Sequence, residues 1–391
     1  MKKLFLTVSI LLILFAGCQL DSAGQYSYEQ PEYIDDGLDI GSLDEVNINA
    51  RWIERAVNEV QGGRYREVHS ILIYRDEKLV FEKYFQGHAY QWDGPNHHGE
   101  LVTWNRDMLH MIASDTKSIT STCIGIAIDK GYIESLHQSI FDYLPDYRHL
   151  KKNGKEEITI EHLVTMTSGL KWDEWGAPLS SAANDIIGLW FNCEDQIACI
   201  LERPLVSEPG TSFTYNGGGM IVLGEIIRNA TQMDIEEFSK KYLFEPLGID
   251  SANWSVRYPN GVIEAAGSLE LKPRDMLKVG ITFLNNGSWK GQQIVSGEWV
   301  EKSAGAYNNN KGINVPGTDG KGLGYSYSWW TYEFYKSGKR ISGYYAGGWG
   351  GQKILVIPDL NAVVILTGGT YTSKTRTFKV LETYIIPAFD G

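Results

Sequence analysis

The order of apolar patterns along this chain predicts an α+β fold, with strand-like runs at the front, helical spacing through the middle and strand-like runs again near the end. Val68 to Ile73 and Leu79 to Tyr84 are β-branched, partly apolar runs that flank Arg75-Asp76-Glu77-Lys78, the pattern of a hairpin. A long helix is predicted next, from about Asp115 to Lys130. Helical signals then dominate from about Glu134 to Asp250: Thr159-Ile160-Glu161-His162 has the form of a helix start, Glu225 to Asn229 continues an apolar face, and Ile235 to Leu243 alternates at helical spacing. Tyr325 to Tyr332, Ile354 to Ile357 and Ala362 to Thr367 return to strand character between Gly, Pro and Asn turns, before a last amphipathic segment around Lys374 to Ile386. The expected architecture is one sheet that takes strands from both ends of the chain, with helices filling the middle.

Composition supports a large buried core. The 391 residues are 43% hydrophobic, 12% aromatic and 21% charged, which excludes a small disulfide-stapled scaffold and argues against long disorder. Lys and Arg number 36 against 48 Asp and Glu, and the formal net charge of -12 would repel a phosphate backbone, so nucleic acid is excluded as a partner. Glycine, at 42 residues, and tryptophan, at 12, are the two excesses that ask for a place in the fold.

Lys2 and Lys3 precede an apolar run from Leu4 to Phe15, closed by Ala16-Gly17-Cys18. That run is too short to cross a bilayer stably, which takes about 20 residues, and the small residues at its end suit a peptidase. It resembles a bacterial lipoprotein signal peptide, with Phe15 where Leu is commonest. The resemblance implies that residues 1–17 are removed, that Cys18 is lipidated, and that the protein is exported and held in the cell envelope by that anchor. Residues 18–50, rich in Asp, Glu, Gln, Ser, Gly and Tyr with weak periodicity, read as a tether, and 51–391 as the folded unit. Export permits disulfides: Cys193 and Cys199 are close enough in sequence to close a short loop, while Cys123, in an apolar run with Ile119 and Ile126, reads as a buried thiol. With no CxxC or HExxH, no metal site is indicated, and His97-His98, in a Gly/Asn/Pro loop, reads as solvated surface.

The sharpest local feature is Ala113-Ser114-Asp115-Thr116-Lys117 at the start of the apolar helix. Ser-x-x-Lys on a helix places both side chains one turn apart on one face, where a neutral lysine amine can take the serine proton if burial or nearby positive charge lowers its pKa. The motif alone is equally a capping serine beside an exposed lysine, so the flanking sequence has to decide.

The flanks resemble the serine β-lactamase and penicillin-binding-protein superfamily, in the branch that holds class C β-lactamases, esterases, D-aminopeptidases and aminohexanoate-dimer hydrolases. Ser114-Asp115-Thr116-Lys117-Ser118 is similar to its nucleophile motif, followed by Gly131-Tyr132-Ile133 and Tyr143-Leu144-Pro145. Ile158-Thr159-Ile160-Glu161-His162-Leu163, Met166-Thr167-Ser168-Gly169-Leu170, Pro209-Gly210-Thr211-Ser212-Phe213-Thr214-Tyr215-Asn216 and Phe244-Glu245-Pro246-Leu247-Gly248-Ile249 continue the likeness in family order over about residues 65 to 385. The resemblance implies an antiparallel sheet flanked by helices (about 51–113 and 260–391), an all-helical region (about 114–259) and an active site between them. It implies Ser114 as acylated nucleophile, Lys117 as proton acceptor, Tyr215 as second acid/base, the amides of Ser114 and Trp349 as oxyanion hole, and no cofactor. A tyrosine can act as a base there only if cationic neighbours lower its pKa, a charge that Lys117 is placed to supply.

Two departures from the family pattern bear on substrate. Tyr215-Asn216-Gly217 lacks the asparagine two residues after the tyrosine, leaving Asn216 to substitute in part, and the third motif reads Ala346-Gly347-Gly348, without its lysine or histidine. Gly347 and Gly348 suit an edge that approaches substrate closely, and Trp172, Trp175 and Trp190 are expected to wall an apolar cleft. Asp173, Glu174 and Asp185, in the same stretch, are candidates to read a substrate amine. The first reading is a serine hydrolase acting on a small ester, amide or short peptide. A non-catalytic cell-wall peptide binder or sensor of the same fold is the second, motivated by the two departures. A β-lactamase or D-Ala peptidase is third, because Ala346 removes the lysine that binds the β-lactam carboxylate.

Overall fold

The computed structural model describes residues 25–308 and 310–389, so the signal segment 1–17 and Cys18 lie outside the described residues. One antiparallel sheet is built from β1 (Val68–Arg75), β2 (Lys78–Tyr84), β3 (Gly324–Ser326), β4 (Trp329–Lys336), β5 (Lys339–Gly348), β6 (Gln352–Ile357) and β7 (Ala362–Gly368). The spatial order is β3-β4-β5-β6-β7-β1-β2, so the two ends of the chain meet where β1 pairs with β7. Asp76 and Glu77 both take left-handed φ (47° and 65°), the conformation a two-residue turn needs to match the twist of β1 and β2.

Helices cover both faces of this sheet. On one side α1 (Ala50–Gln61) and the C-terminal helical segment Thr377–Ala388 pack together, with Tyr65 edge-on to Tyr384 and the Asn49 amide donating to Ala388 O at 2.8 Å. The central helix α2 (Asp115–Asp129) packs against α3 (Gly217–Thr231) in the helical layer and touches the β5 and β6 ends of the sheet. A fourth helix, α4 (Pro273–Leu284), lies so close on β6 and β7 that a Cβ on Gly280 would stand 2.5 Å from Val363 Cγ1. All seven sheet strands fall in the two outer ranges expected for the sheet region and α2 and α3 fall in the middle, while α4 and a short helix Gly297–Ser303 lie inside the second outer range.

Every residue of α2 from Asp115 to Ala127 is buried, a helix enclosed on all sides. Its hydroxyls make that tolerable by reaching backbone carbonyls outside the helix: Ser118 Oγ donates to Ser328 O and Ser121 Oγ to Tyr327 O, both at 2.6 Å, and Thr120 Oγ1 to Ala265 O at 2.8 Å. The same contacts explain one departure from the sequence reading. The run Tyr325 to Tyr332 is two strands, because Tyr327 and Ser328 form a tight turn with φ of 43° and 66°, pinned by the α2 hydroxyls.

The tether expected over 18–50 is corrected over its described part. Leu38, Leu43, Val46 and Ile48 are buried, and a short stretch runs along the outer edge of β2, with Gly41 N donating to Leu79 O at 3.1 Å and Leu79 N to Asp39 O at 2.8 Å. This strap covers backbone groups that an open sheet edge would expose. Arg274 of α4 fastens it: the guanidinium binds Glu82 at 2.6 and 3.0 Å, Asp36 Oδ2 at 3.1 Å and Glu32 O at 2.9 Å. Four apolar residues at irregular spacing among acidic ones gave no period from which packing was readable. Cys193 and Cys199 form a disulfide, and Cys123 is a free buried thiol. Arg274→Ala leaves Glu82 buried and uncompensated, so a loss of about 3–5 kcal/mol in unfolding free energy is expected, with new protease cuts within residues 25–49 as the second readout.

Candidate active site

Ser114 stands at the N-terminus of α2, entered through a turn at Ala113 with φ of 47°, a conformation unfavourable for alanine. The turn is held because Ile112 N donates to Leu269 O at 3.0 Å, and because the end of β5 presses on it: a Cβ on Gly348 would meet Ile112 O at 2.2 Å. Gly348 is thus required by the contact that brings β5 beside the serine. Lys117 Nζ lies 3.0 Å from Ser114 Oγ and 2.8 Å from Ala266 O, and the side chain is buried. Burial lowers the Lys117 pKa, while the carboxylates of Glu174, Glu264 and Asp115 act in the opposite sense.

Tyr215 comes to the same place from the residue before the cap of α3. Its ring has Lys117 Nζ 4.9 Å from the centroid, Trp175 stacked at 5.2 Å and Trp330 at 6.0 Å. The expectation that the Tyr215 pKa is lowered is not met by the surroundings: burial raises it, Glu174, Asp115 and Glu264 raise it further, and the Ser114 hydroxyl pulls the other way without prevailing. Tyr215 is therefore a neutral phenol across the physiological range, suited to give and regain a proton.

Opposite Ser114, Trp349 follows β5 at a turn closed by Gly351 N donating to Gly348 O at 3.2 Å. Neither the Ser114 amide nor the Trp349 amide donates to an acceptor among the described residues. Two such donors at the mouth of a cleft can hold a developing oxyanion, an effect worth about 3–4 kcal/mol per donor. The cleft has a volume of about 1100 Å³ and runs from Ser114, Lys117 and Tyr215 out to Trp175, Trp190 and Trp349.

Not every expected residue lines it. Trp175 and Trp190 do, and so do Gly347 and Gly348. Trp172 is buried behind the wall, where its Nε1 donates to Glu174 Oε1 at 2.7 Å, and Asn216 is the α3 cap, accepting from Gly219 N at 3.0 Å. Both are corrected to positioning roles. The glycines after Asn216 make room for that arrangement: Cβ atoms on Gly217 and Gly218 would stand 2.7 Å from Glu174 Oε1 and from Trp172 Cη2. Of the acidic residues, Glu174 faces the cleft and accepts from Gly217 N, whereas Asp185 pairs with Arg203 at 3.0 Å and Asp173 accepts the amides of Trp175 and Gly176.

Three contributors were missed from sequence. Glu264, its pKa pushed up to about 7 by burial, lines the cleft beside Lys117. Lys353 enters from β6, a lysine inside an otherwise apolar run, which is the signal that was available. The third is His97, which is buried with its Nδ1 2.8 Å from Trp92 O and its ring edge-on to Trp349 at 4.9 Å, so His97 is corrected from solvated surface to wall, and His98, its Nε2 2.7 Å from Gly369 O, to a half-buried position behind it. Behind it, Glu67, His88 and His98 gather donor atoms within 4.8 Å of one another. His88 and His98 are stacked with planes 2° apart, so their ring lone pairs lie in parallel planes that one ion cannot share, and His88 Nδ1 already meets Glu67 Oε1 at 2.8 Å.

Residues 53–379 match the family model described as Beta-lactamase. The chain belongs to the beta-lactamase family. Among solved structures of this fold, a "Putative 6-aminohexanoate-dimer hydrolase" from Bacillus anthracis is 20% identical, with a TM-score of 0.65 over 82% of this chain and 78% of that one. A family VIII carboxylesterase is 15% identical, with a TM-score of 0.64 over 86% and 96%. Identities this low establish the shared fold. A Salmonella agona (strain SL483) protein described as "Putative D-alanyl-D-alanine carboxypeptidase" is 23% identical over 202 residues, 51% of this chain and 44% of that relative, so the chain spans about half the length of the curated relatives it matches. The beta-lactamase family and these structural neighbours comprise hydrolases of one fold.

Proposed function

We propose that this beta-lactamase family protein is a serine hydrolase that cleaves an ester or amide of a small substrate through an acyl-Ser114 intermediate. The observation that carries the reading is the buried Lys117 amine 3.0 Å from Ser114 Oγ, facing a cleft with two undonated amides. Neutral Lys117 takes the Ser114 proton as Oγ bonds to the substrate carbonyl carbon, and the carbonyl oxygen becomes an anion held by the Ser114 and Trp349 amides. Collapse breaks the bond to the leaving group, which takes a proton from the Lys117 ammonium directly or through the Tyr215 hydroxyl, which gives its own proton and regains one. Water then attacks the acyl carbon and loses its proton to Lys117 along the same path; collapse breaks the acyl–Oγ bond, Ser114 Oγ regains a proton from the Lys117 ammonium, and the carboxylic acid product leaves. A binder without turnover would have no use for a desolvated amine on the serine, which favours the hydrolase over that reading. The carboxylesterase neighbour and the carboxypeptidase-like relative support an ester or amide as the scissile bond.

A fluorophosphonate probe is expected to label the wild type and to leave Ser114→Ala unlabelled; equal labelling of both would overturn the nucleophile assignment. On an aryl ester that is turned over, kcat/KM should rise with pH as Lys117 loses its proton and level off below the ordinary lysine value of about 10.4. Because the Glu264 carboxylate favours the Lys117 proton, Glu264→Gln should move that rising limb to lower pH. A limb that stays in place or moves up would separate Glu264 from Lys117. The same proposal includes export and a lipid anchor on Cys18, motivated by Lys2-Lys3, the apolar run and Ala16-Gly17-Cys18. Radiolabelled palmitate should enter the wild type and not Cys18→Ala, and label in both would refute the anchor.

A further inference from the structure

Gln352 opens β6, a strand buried along its whole length, and is itself fully enclosed. A primary amide taken out of water is costly unless its hydrogens and its oxygen find partners. Gln352 finds them all on backbone: Nε2 donates to Trp349 O at 2.9 Å and to Gly368 O at 2.7 Å, and Oε1 accepts from Gly368 N at 3.0 Å. The side chain thus ties the turn after β5 to the end of β7. It does not line the cleft, so whatever it contributes to the site passes through the chain it holds.

The turn it holds carries the Trp349 amide. Three successive peptides run through that turn, and each has its carbonyl fixed by one donor: Gly348 O by Gly351 N at 3.2 Å, Trp349 O by Gln352, and Gly350 O by Thr370 N at 3.0 Å. The first and third donors are backbone. The central one is a side chain, and Nε2 is the only donor that Trp349 O meets among the described residues. The first of these peptides carries the Trp349 N–H opposite to Gly348 O, since the two groups of a trans peptide point in opposite directions. That N–H therefore points away from the turn, where it meets no acceptor among the described residues.

Gly350 takes a φ of 90° while Trp349 is not left-handed, so the two form the centre of a type II turn. Rotating their shared peptide by about 180° would give type I, and a glycine at the third position takes either sign of φ without strain. Gln352 opposes that rotation by holding Trp349 O. The approach is close: a Cβ on Gly350 would stand 2.8 Å from Gln352 Nε2. Displacing a catalytic group by about 1 Å can cost about a hundredfold in rate, so a glycine turn that offers a fixed donor needs such a brace.

We propose that Gln352 is a positioning residue of the catalytic site, which holds the Trp349 turn so that the Trp349 amide stands ready as an oxyanion donor. The role rests on the serine hydrolase reading. Two readouts test it: turnover of 4-nitrophenyl acetate, and the rate at which a fluorophosphonate labels Ser114. In the labelling step Oγ bonds to phosphorus, fluoride leaves, the serine proton passes to Lys117, and the phosphoryl oxygen takes the place of the oxyanion. Gln352→Met keeps the length of the side chain and loses all three hydrogen bonds. Its kcat should fall roughly 10- to 100-fold with KM within about twofold of wild type, and labelling should slow by a similar factor. Gln352→Glu keeps an acceptor for Gly368 N but loses the amide donor to Trp349 O. It should behave alike, and it carries the test if the melting temperature shows that Gln352→Met is unfolded. A folded variant with wild-type kcat and labelling rate overturns the role, and so does a loss that lies wholly in KM. If the wild type neither hydrolyses the ester nor takes the label, the hydrolase reading fails, and hydrogen–deuterium exchange decides the brace by itself. Faster exchange of the amides of residues 347–351 in the variants than in wild type supports it, and unchanged exchange overturns it.

Discussion

The arrangement depends on one amine kept out of water. Lys117 Nζ has the Ser114 hydroxyl on one side and the Ala266 carbonyl on the other, at the inner end of a cleft whose walls are aromatic. Desolvation is what makes a lysine a base near neutral pH, and it cannot be supplied by a surface helix. This is the physical reason for the unusual character of α2, which is enclosed over its first thirteen residues and satisfies hydroxyls on carbonyls of two surrounding segments, at Ala265 and at Tyr327-Ser328. The β5 and β6 ends of the sheet and the helical layer are the means by which that helix is buried.

Three carboxylates work against the desolvation of Lys117. Glu174, Glu264 and Asp115 all favour its protonated form, and two of them line the cleft. Their burial raises their own proton affinity in return, so each of the three is easier to protonate than a carboxylate in water. Tyr215 sits over the same set, and the negative neighbours keep it a phenol. In the proposed mechanism the tyrosine passes protons and the lysine holds them.

Much of the fold was legible because it rests on local patterns. The hairpin at 68–84, the central helix, the cap at Thr159 and the strands at 352–357 and 362–368 all follow periodicity and turn chemistry, and the structure places them within a few residues of expectation. What sequence did not show is contact across distance. The strap over 25–49 has no period, and it packs because Arg274, more than two hundred residues later, meets Asp36 and Glu82. The turn at Tyr327-Ser328 is invisible to turn propensity, since hydroxyls of α2 hold it. Ser114, Lys117, Tyr215 and Trp349 were found through motifs and do converge on one cleft, whereas Glu264 and Lys353 belong to no motif and show themselves only as charges in apolar surroundings. Trp172 and Asn216 had the right neighbourhood and the wrong direction, which residue type alone does not encode.

The proposed mechanism requires that burial leave Lys117 able to accept a proton from Ser114 at physiological pH. Direct titration of Lys117 by carbon-13 NMR, with lysine labelled at Cε and the resonance assigned through Lys117→Met, measures that property without any substrate. A midpoint clearly below that of an exposed lysine, about 10.4, is expected. A midpoint at or above that value would mean that the three carboxylates prevail over desolvation, and would contradict the assignment of Lys117 as the base.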